Sequence, residues 1–302
     1  MKLILMGTPS FVVPIFDKVA DAHEIAAVFT RAPKPVGRKK TLTRSPVHEW
    51  AAGRGIPVHT SIKEFDSAPA ADYIIVAAYG VILRDNVLNA APCINIHPSD
   101  LPKYRGASPI TTSIYNGDTE SAVCIMQVAA QVDAGDVFMR EKFEIGENDT
   151  ISDVEKRVGE ISTEMLSEYL RDPAKYPPVP QTGTPTFTRK WTSDDEWIDW
   201  SRTPREIHNQ VRSIGGRTKI NGIDVKILET KLIAPSFGGG SGRSPVGEAY
   251  IDQAAPRPAS QGTPLQGKGG LEILRILPAG KKPMTWKDFV NGQRGAEIRF
   301  GM

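Results

Sequence analysis

The chain has 302 residues, 40% hydrophobic and 24% charged, enough to bury a real core and comfortable for two domains. No apolar run reaches the roughly 18 residues of a membrane span, which excludes an integral helical membrane protein. Two cysteines, Cys93 and Cys124, lack C-x-x-C spacing, which excludes a disulfide scaffold and makes the cytoplasm the default compartment. The formal net charge of +2 hides an asymmetry: residues 201–302 carry 16 Lys and Arg against 8 Asp and Glu, leaving 21 against 27 upstream. Such a basic third either keeps itself soluble or faces a polyanion, and charge alone does not choose.

MKLILMGTPSF at the start reads as a buried strand, Lys2–Met6, and a turn, not as a signal peptide. Phe11–Ala20 then predicts a helix. Short apolar runs at Glu24–Thr30, Asp72–Ala78, Cys93–His97 and Ala122–Val128 predict strands buried on both faces, the mark of a mostly parallel sheet covered by helices. Ile151, Val154, Val158, Ile161, Met165, Leu166 and Tyr169 recur at spacings of three and four, which predicts one amphipathic helix capped by Thr150 or Ser152. Asp172–Phe187 carries five prolines and reads as a linker laid over the surface. Beyond it come a short helix at Pro204–Arg212 and strands at Thr218–Ile220, Ile223–Leu228, Glu248–Ile251 and Leu271–Leu277, the pattern of a small barrel or sandwich. Ala234–Pro245, rich in Gly and Ser, reads as a loop. The domain division expected is 1–172, a linker over 173–202, and 203–302.

Two common chemistries find little support. Gly7-Thr8-Pro9 follows the first strand, yet neither G-x-G-x-x-G nor a P-loop continues from it, and Pro9 removes an amide that a phosphate cradle needs. His23, His48, His59, His97 and His208 show no metal-ligand spacing, so no metal is expected.

The informative stretch is CINIHPSDLPKYRGASPI, Cys93–Ile110. Strand alternation puts Asn95 and His97 on one face near the carboxyl end of a strand, where open α/β sheets bind ligands. The bland alternative is a histidine satisfied by a backbone carbonyl, with Asn95 a turn former. Val132–Asp136 then brings acids into a tight turn. An amide, an imidazole and a carboxylate suit acyl transfer to an amine: the carboxylate orients the imidazole, and the other two donate to an oxyanion. For Asp136 a turn or capping role is preferred.

These blocks carry a resemblance. GTPSFVVP (Gly7–Pro14), VGRKKTLTRSPVHE (Val36–Glu49), VAAYGVIL (Val76–Leu83), INIHPSDLPKYRGASPI (Ile94–Ile110), GDTESAVCIMQ (Gly117–Gln127), VDAGD (Val132–Asp136), IDW (Ile198–Trp200) and LPAGKKPM (Leu277–Met284) resemble, in order, the methionyl-tRNA formyltransferases of the folate-dependent formyltransferase superfamily. The resemblance implies a Rossmann-like α/β formyltransferase domain and an OB-like β-barrel that binds tRNA. It implies 10-formyltetrahydrofolate as donor, methionyl initiator tRNA as acceptor, and a monomer with no obligate protein partner. By the same resemblance Asn95, His97 and Asp133 are the catalytic residues. Tyr79, Gly80, Val81, Ile82 and Leu83, with Ser99, Asp100, Leu101 and Pro102, contact the folate. Arg38, Lys39 and Lys40, on a basic loop within Arg31–Ser45, meet the acceptor end of the tRNA. His97 is the expected proton donor to the folate N10, directly or through water.

Two departures stand out. Relatives carry S-L-L-P where this chain has S-D-L-P, and the Asp100 carboxylate is expected to point to solvent, since an anionic folate would repel it. His97-Pro98-Ser99 is similar to glycinamide ribonucleotide formyltransferases, which lack a C-terminal barrel. Formyl transfer to a nucleotide or sugar amine, and a noncatalytic RNA-binding protein, remain the competing readings.

Overall fold

The computed structural model describes residues 1–37, 39–233, 270–293 and 296–301. Two compact units emerge: Met1–Ile110 with Glu120–Ile145 and Ser152–Arg189, and Thr111–Thr119 with Gly146–Ile151 and Lys190–Met302. The proline-rich segment through Arg189, read from sequence as linker, belongs to the first unit, and two short pieces before residue 152 belong to the second.

A seven-stranded sheet forms the first unit. Its order is Val137–Glu144, Glu120–Gln127, Cys93–His97, Tyr73–Ala77, Lys2–Gly7, Glu24–Phe29 and Val58–His59. The last five pair in parallel, and the first two add an antiparallel edge. The expected strands stand within two residues of their predicted bounds. Val137–Glu144 escaped the sequence because Arg140, Glu141 and Lys142 interrupt its alternation, as charged side chains do on an edge strand. Leu3, Ile4, Leu5, Ile74, Ile75 and Ile94 are almost wholly buried, so the central strands are covered on both faces. The helix Val13–Ala22 buries Ile15, Phe16 and Val19, and Ile151–Arg171 buries Val154, Val158, Met165, Leu166 and Tyr169 of the predicted stripe, with Ile151 and Ile161 only partly covered. Because parallel strands share one direction, Gly7, Phe29, Ala77 and His97 all end on the same sheet edge.

The second unit has an antiparallel sheet in the order Met284–Thr285, Gly270–Pro278, Ile223–Ile233, Gly216–Ile220, Phe300–Gly301. The helix Pro204–Ser213 opens with a capping box in which Thr203 and Glu206 satisfy each other's amides. Its Ile207 and Val211 pack with Val225, Ile227, Ile273 and Trp286. The strand expected at Glu248–Ile251 and the loop at Ala234–Pro245 lie outside the described residues.

His208 is buried on that helix, its Nδ1 2.9 Å from Thr230 Oγ1 and its Nε2 3.0 Å from the Glu147 carbonyl oxygen. Burial, more than any other cause, pushes its pKa below the ordinary 6.5. The unfolded chain therefore binds this proton more readily. The stability from a neutral His208 is complete above about pH 6.5 and is lost as pH falls towards the lower folded value. Thermal melting should show the second unit weakening on acidification below about pH 6.5, with a shallower slope in His208→Gln. An identical slope in that variant would contradict the assignment.

Candidate active site

Asn95 and His97 sit two residues apart on Cys93–His97 and share a face. The His97 side chain is 5% exposed. Its Nε2 lies 3.0 Å from the Tyr104 carbonyl oxygen, which only accepts, so Nε2 carries a proton. Nδ1 faces Asp133 Oδ2 at 3.6 Å, just beyond a hydrogen bond.

Asp133 comes from the connection between Glu120–Gln127 and Val137–Glu144. Its Oδ1 accepts from Asn95 Nδ2 at 3.3 Å, and its Oδ2 accepts from the Gly106 amide at 2.8 Å. Structure thus brings all three sequence candidates into one cluster. The carbonyl partner of the bland reading is also real: it is Tyr104, and it coexists with the Asp133 contact. The Nε2–H points at the Tyr104 carbonyl, and the other ring nitrogen, Nδ1, faces Asp133.

The backbone around this cluster is unusual. Asp133, Tyr104 and Ser108 have φ of 47°, 61° and 61°, left-handed values that cost a non-glycine residue roughly 1–3 kcal/mol. Gly135 permits the turn: a Cβ there would stand 2.0 Å from the Gln127 carbonyl oxygen.

The segments implied as folate contacts divide by burial. Val81 and Ile82 are exposed, Ile82 at 77%, whereas Tyr79 is buried and burial raises its phenol pKa. Arg31, which sequence reasoning passed over, shapes this loop: Nε donates to the Tyr79 carbonyl at 3.3 Å and Nη2 to Gly80 at 2.9 Å. Gly80, at φ 70°, leaves that guanidinium its space, since a Cβ would fall 2.2 Å from Nη2. Ser99 and Leu101 are fully buried; Ser99 Oγ donates to the Lys103 carbonyl, and Leu101 packs with Cys124, Met126 and Val137. Their side chains brace the loop, and Leu101–Pro102 is a cis peptide. Lys39 and Lys40 are exposed at the turn joining Lys34–Val36 to Thr41–Thr43, while Arg38 lies outside the described residues.

Asp100 does not point freely to solvent. Its carboxylate is half-buried and paired with Arg140 at 2.9 Å and Lys142 at 3.6 Å. Pairing with these edge-strand cations, absent from the sequence argument, meets the same electrostatic need that solvent was expected to meet. Among the described residues no group of three His, Cys, Asp or Glu is placed to hold a metal, and no helix is long and apolar enough to cross a membrane.

Comparison with known proteins places this architecture. An N-formyltransferase from Helicobacter canadensis, solved with folinic acid and dTDP-3-aminofucose, shares the fold at a TM-score of 0.66 and 19% identity, over 90% of this chain and 98% of its own. The methionyl-tRNA formyltransferase from Clostridium thermocellum superposes at 0.54 and 17% identity, over 76% and 93%. The class is therefore a two-part formyl transferase fold: the formyl transferase family model matches residues 1–170, and the model of the family's C-terminal domain matches 190–294. Methionyl-tRNA formyltransferases from Gluconobacter oxydans and Rickettsia bellii are 38% and 34% identical, each alignment spanning 97% of both chains. The chain belongs to the formyl transferase family, alongside these methionyl-tRNA formyltransferases.

Replacing Asp100 tests the ion pair. Asp100→Leu leaves Arg140 and Lys142 without this partner at a partly exposed site, so urea denaturation should show a loss of ~0.2–1 kcal/mol. A gain in stability would contradict the pairing.

Proposed function

We propose that this chain transfers a formyl group from 10-formyltetrahydrofolate to the α-amino group of methionine on initiator tRNA, giving N-formylmethionyl-tRNA for translation initiation. One observation carries the reading: the similarity to methionyl-tRNA formyltransferases holds at 38% and 34% identity over 97% of the chain, through both units, whereas the amino-sugar enzyme that shares the fold is only 19% identical. It works as a monomer in the cytoplasm, with no obligate protein partner and no metal.

The chemistry follows from the cluster. The neutral amine attacks the formyl carbon, the carbon–N10 bond breaks, N10 gains a proton and the amine loses one. Asn95 has two amide N–H groups and gives one to Asp133; the other is available to the oxygen on which negative charge develops. Asp133 holds Asn95 and faces His97 Nδ1, so the proton moves along His97 and Asp133, with water completing the path. Positioning of two bound substrates supplies much of the remaining acceleration.

The exposed Val81 and Ile82 fit an apolar wall for the pterin in the loop Tyr79–Leu83, and Ser99–Pro102 border it. Arg38, Lys39 and Lys40 serve the acceptor end. In the second unit Arg217 and Lys226 share Glu196, Arg275 lies beside Glu229 and Arg299 beside Glu297, so part of their charge is offset locally. Lys219, Lys231, Lys281, Lys282 and Lys287 are exposed and suit phosphate contacts that fade with salt.

A second reading, a sugar-amine acceptor, is favoured by the fold match to the H. canadensis enzyme, a match at only 19% identity. Formyl transfer assayed with charged initiator tRNA, free methionine and a nucleotide-linked amino sugar separates the two. Transfer to tRNA alone is expected; transfer to the sugar alone would overturn the proposal. In the same assay Asn95→Ala should lose about 10²- to 10³-fold in rate, roughly the 3–4 kcal/mol of a missing oxyanion donor, and His97→Ala about 10²- to 10⁴-fold, the range of a lost proton-transfer group, with substrate affinities little changed. A His97→Ala protein near wild-type rate would end this mechanism.

A further inference from the structure

The segment that composition marks as a tether is tied at many points to the residues around Asn95, His97 and Asp133. Gln181 uses its whole amide there. Its Nε2 donates to the Asp133 carbonyl at 2.9 Å and to the Gly135 carbonyl at 2.7 Å. Its Oε1 accepts from Arg105 Nε at 3.1 Å and Nη2 at 2.8 Å. One side chain therefore joins the Asp133 turn to the chain at Arg105.

The neighbours of Gln181 grip the same loop. Val179 exchanges both backbone hydrogen bonds with Val137, at 2.9 and 3.0 Å. Thr186 Oγ1 accepts from the Tyr104 amide at 2.8 Å, and the Thr186 carbonyl accepts from the Arg105 amide at 2.8 Å. Phe187–Thr188 adds a two-residue parallel pairing to Arg105–Gly106, and Thr188 Oγ1 donates its one hydrogen to the Ala107 carbonyl, with the Arg105 carbonyl within reach. Tyr104 supplies the carbonyl that holds His97, and Gly106 supplies the amide that holds Asp133. Every backbone partner of the cluster is thus flanked by a bond to residues 179–188.

We infer that Gln181 is a positioning residue for the Asn95–His97–Asp133 cluster and that residues 179–188 act as a clamp on it. This rests on the formyl-transfer reading. Tyr104 holds a left-handed backbone conformation that its residue type does not favour, so an outside constraint has to maintain it. Only an amide of this length provides two donors to carbonyls and an acceptor to a guanidinium at once. Glutamate keeps the acceptor and loses the donors; methionine keeps the length and loses both.

The test measures single-turnover formyl transfer, KM for each substrate and thermal melting for wild type, Gln181→Met, Gln181→Glu and, as control, Lys175→Ala. Lys175 lies in the same stretch but bonds Glu168 instead. A displacement of about 1 Å in reacting groups costs on the order of a hundredfold. The expected result is a fall in rate of about tenfold or more in both Gln181 variants, with KM within about twofold and the control unchanged. Should Gln181→Met fail to fold, Gln181→Glu decides alone, since it retains the Arg105 contacts. Variants that melt earlier yet transfer at the wild-type rate when folded would overturn the inference. A wild-type protein inactive on charged tRNA would instead overturn the functional reading, and the inference with it.

Discussion

The site depends on holding one carboxylate in a place where it is mostly removed from water. The Asp133 side chain is 18% exposed, and a carboxylate so placed needs donors to replace its hydration. It finds the Asn95 amide on one oxygen, and the Gly106 amide and the His97 imidazole about the other. Two of these partners come from one strand and the third from the loop that follows it. The alternation of Cys93–His97 sets Asn95 and His97 on one face, the left-handed Tyr104 turns the following loop back so that Gly106 points its amide inward, and the glycine at 135 lets the Asp133 turn close against Gln127.

Much of this was legible in the residues. Strand periods located the parallel sheet because its strands are buried on both faces and so read as uninterrupted apolar runs. Asn95 and His97 were visible as a same-face pair ahead of a proline-punctuated loop, and the family resemblance added Asp133, which local sequence alone presents as one acid among two in a turn. Hydrogen bonds between residues far apart in the chain were not legible. Gln181 stands 48 residues from Asp133 and 76 from Arg105, in a stretch whose prolines indicate only that no helix or strand runs through it. Asp100 shows the same limit from the electrostatic side. Its partners, Arg140 and Lys142, sit on an edge strand whose charges masked it as a strand.

Charge tells a comparable story in the second unit. The formal excess of the last hundred residues overstates the free positive charge of that unit, because Arg205 pairs with Glu147 and Arg217 and Lys226 with Glu196, carboxylates outside that stretch. Among the described residues a set of exposed lysines remains, compact point charges suited to sequence-independent phosphate contact rather than to reading bases. That division suits the proposed labour of the two units: chemistry in the first, grip on a nucleic-acid backbone in the second.

The account turns on Asp133 acting through its charge and its two acceptor oxygens, and Asp133→Asn isolates that property with almost no change of shape. The decisive measurement is the single-turnover rate of formyl transfer to charged initiator tRNA, taken beside equilibrium binding of the folate and the tRNA to the same protein. A loss of about a hundredfold or more in rate, with both affinities within a few-fold of wild type, is the predicted result. A variant that transfers formyl at close to the wild-type rate would contradict the account.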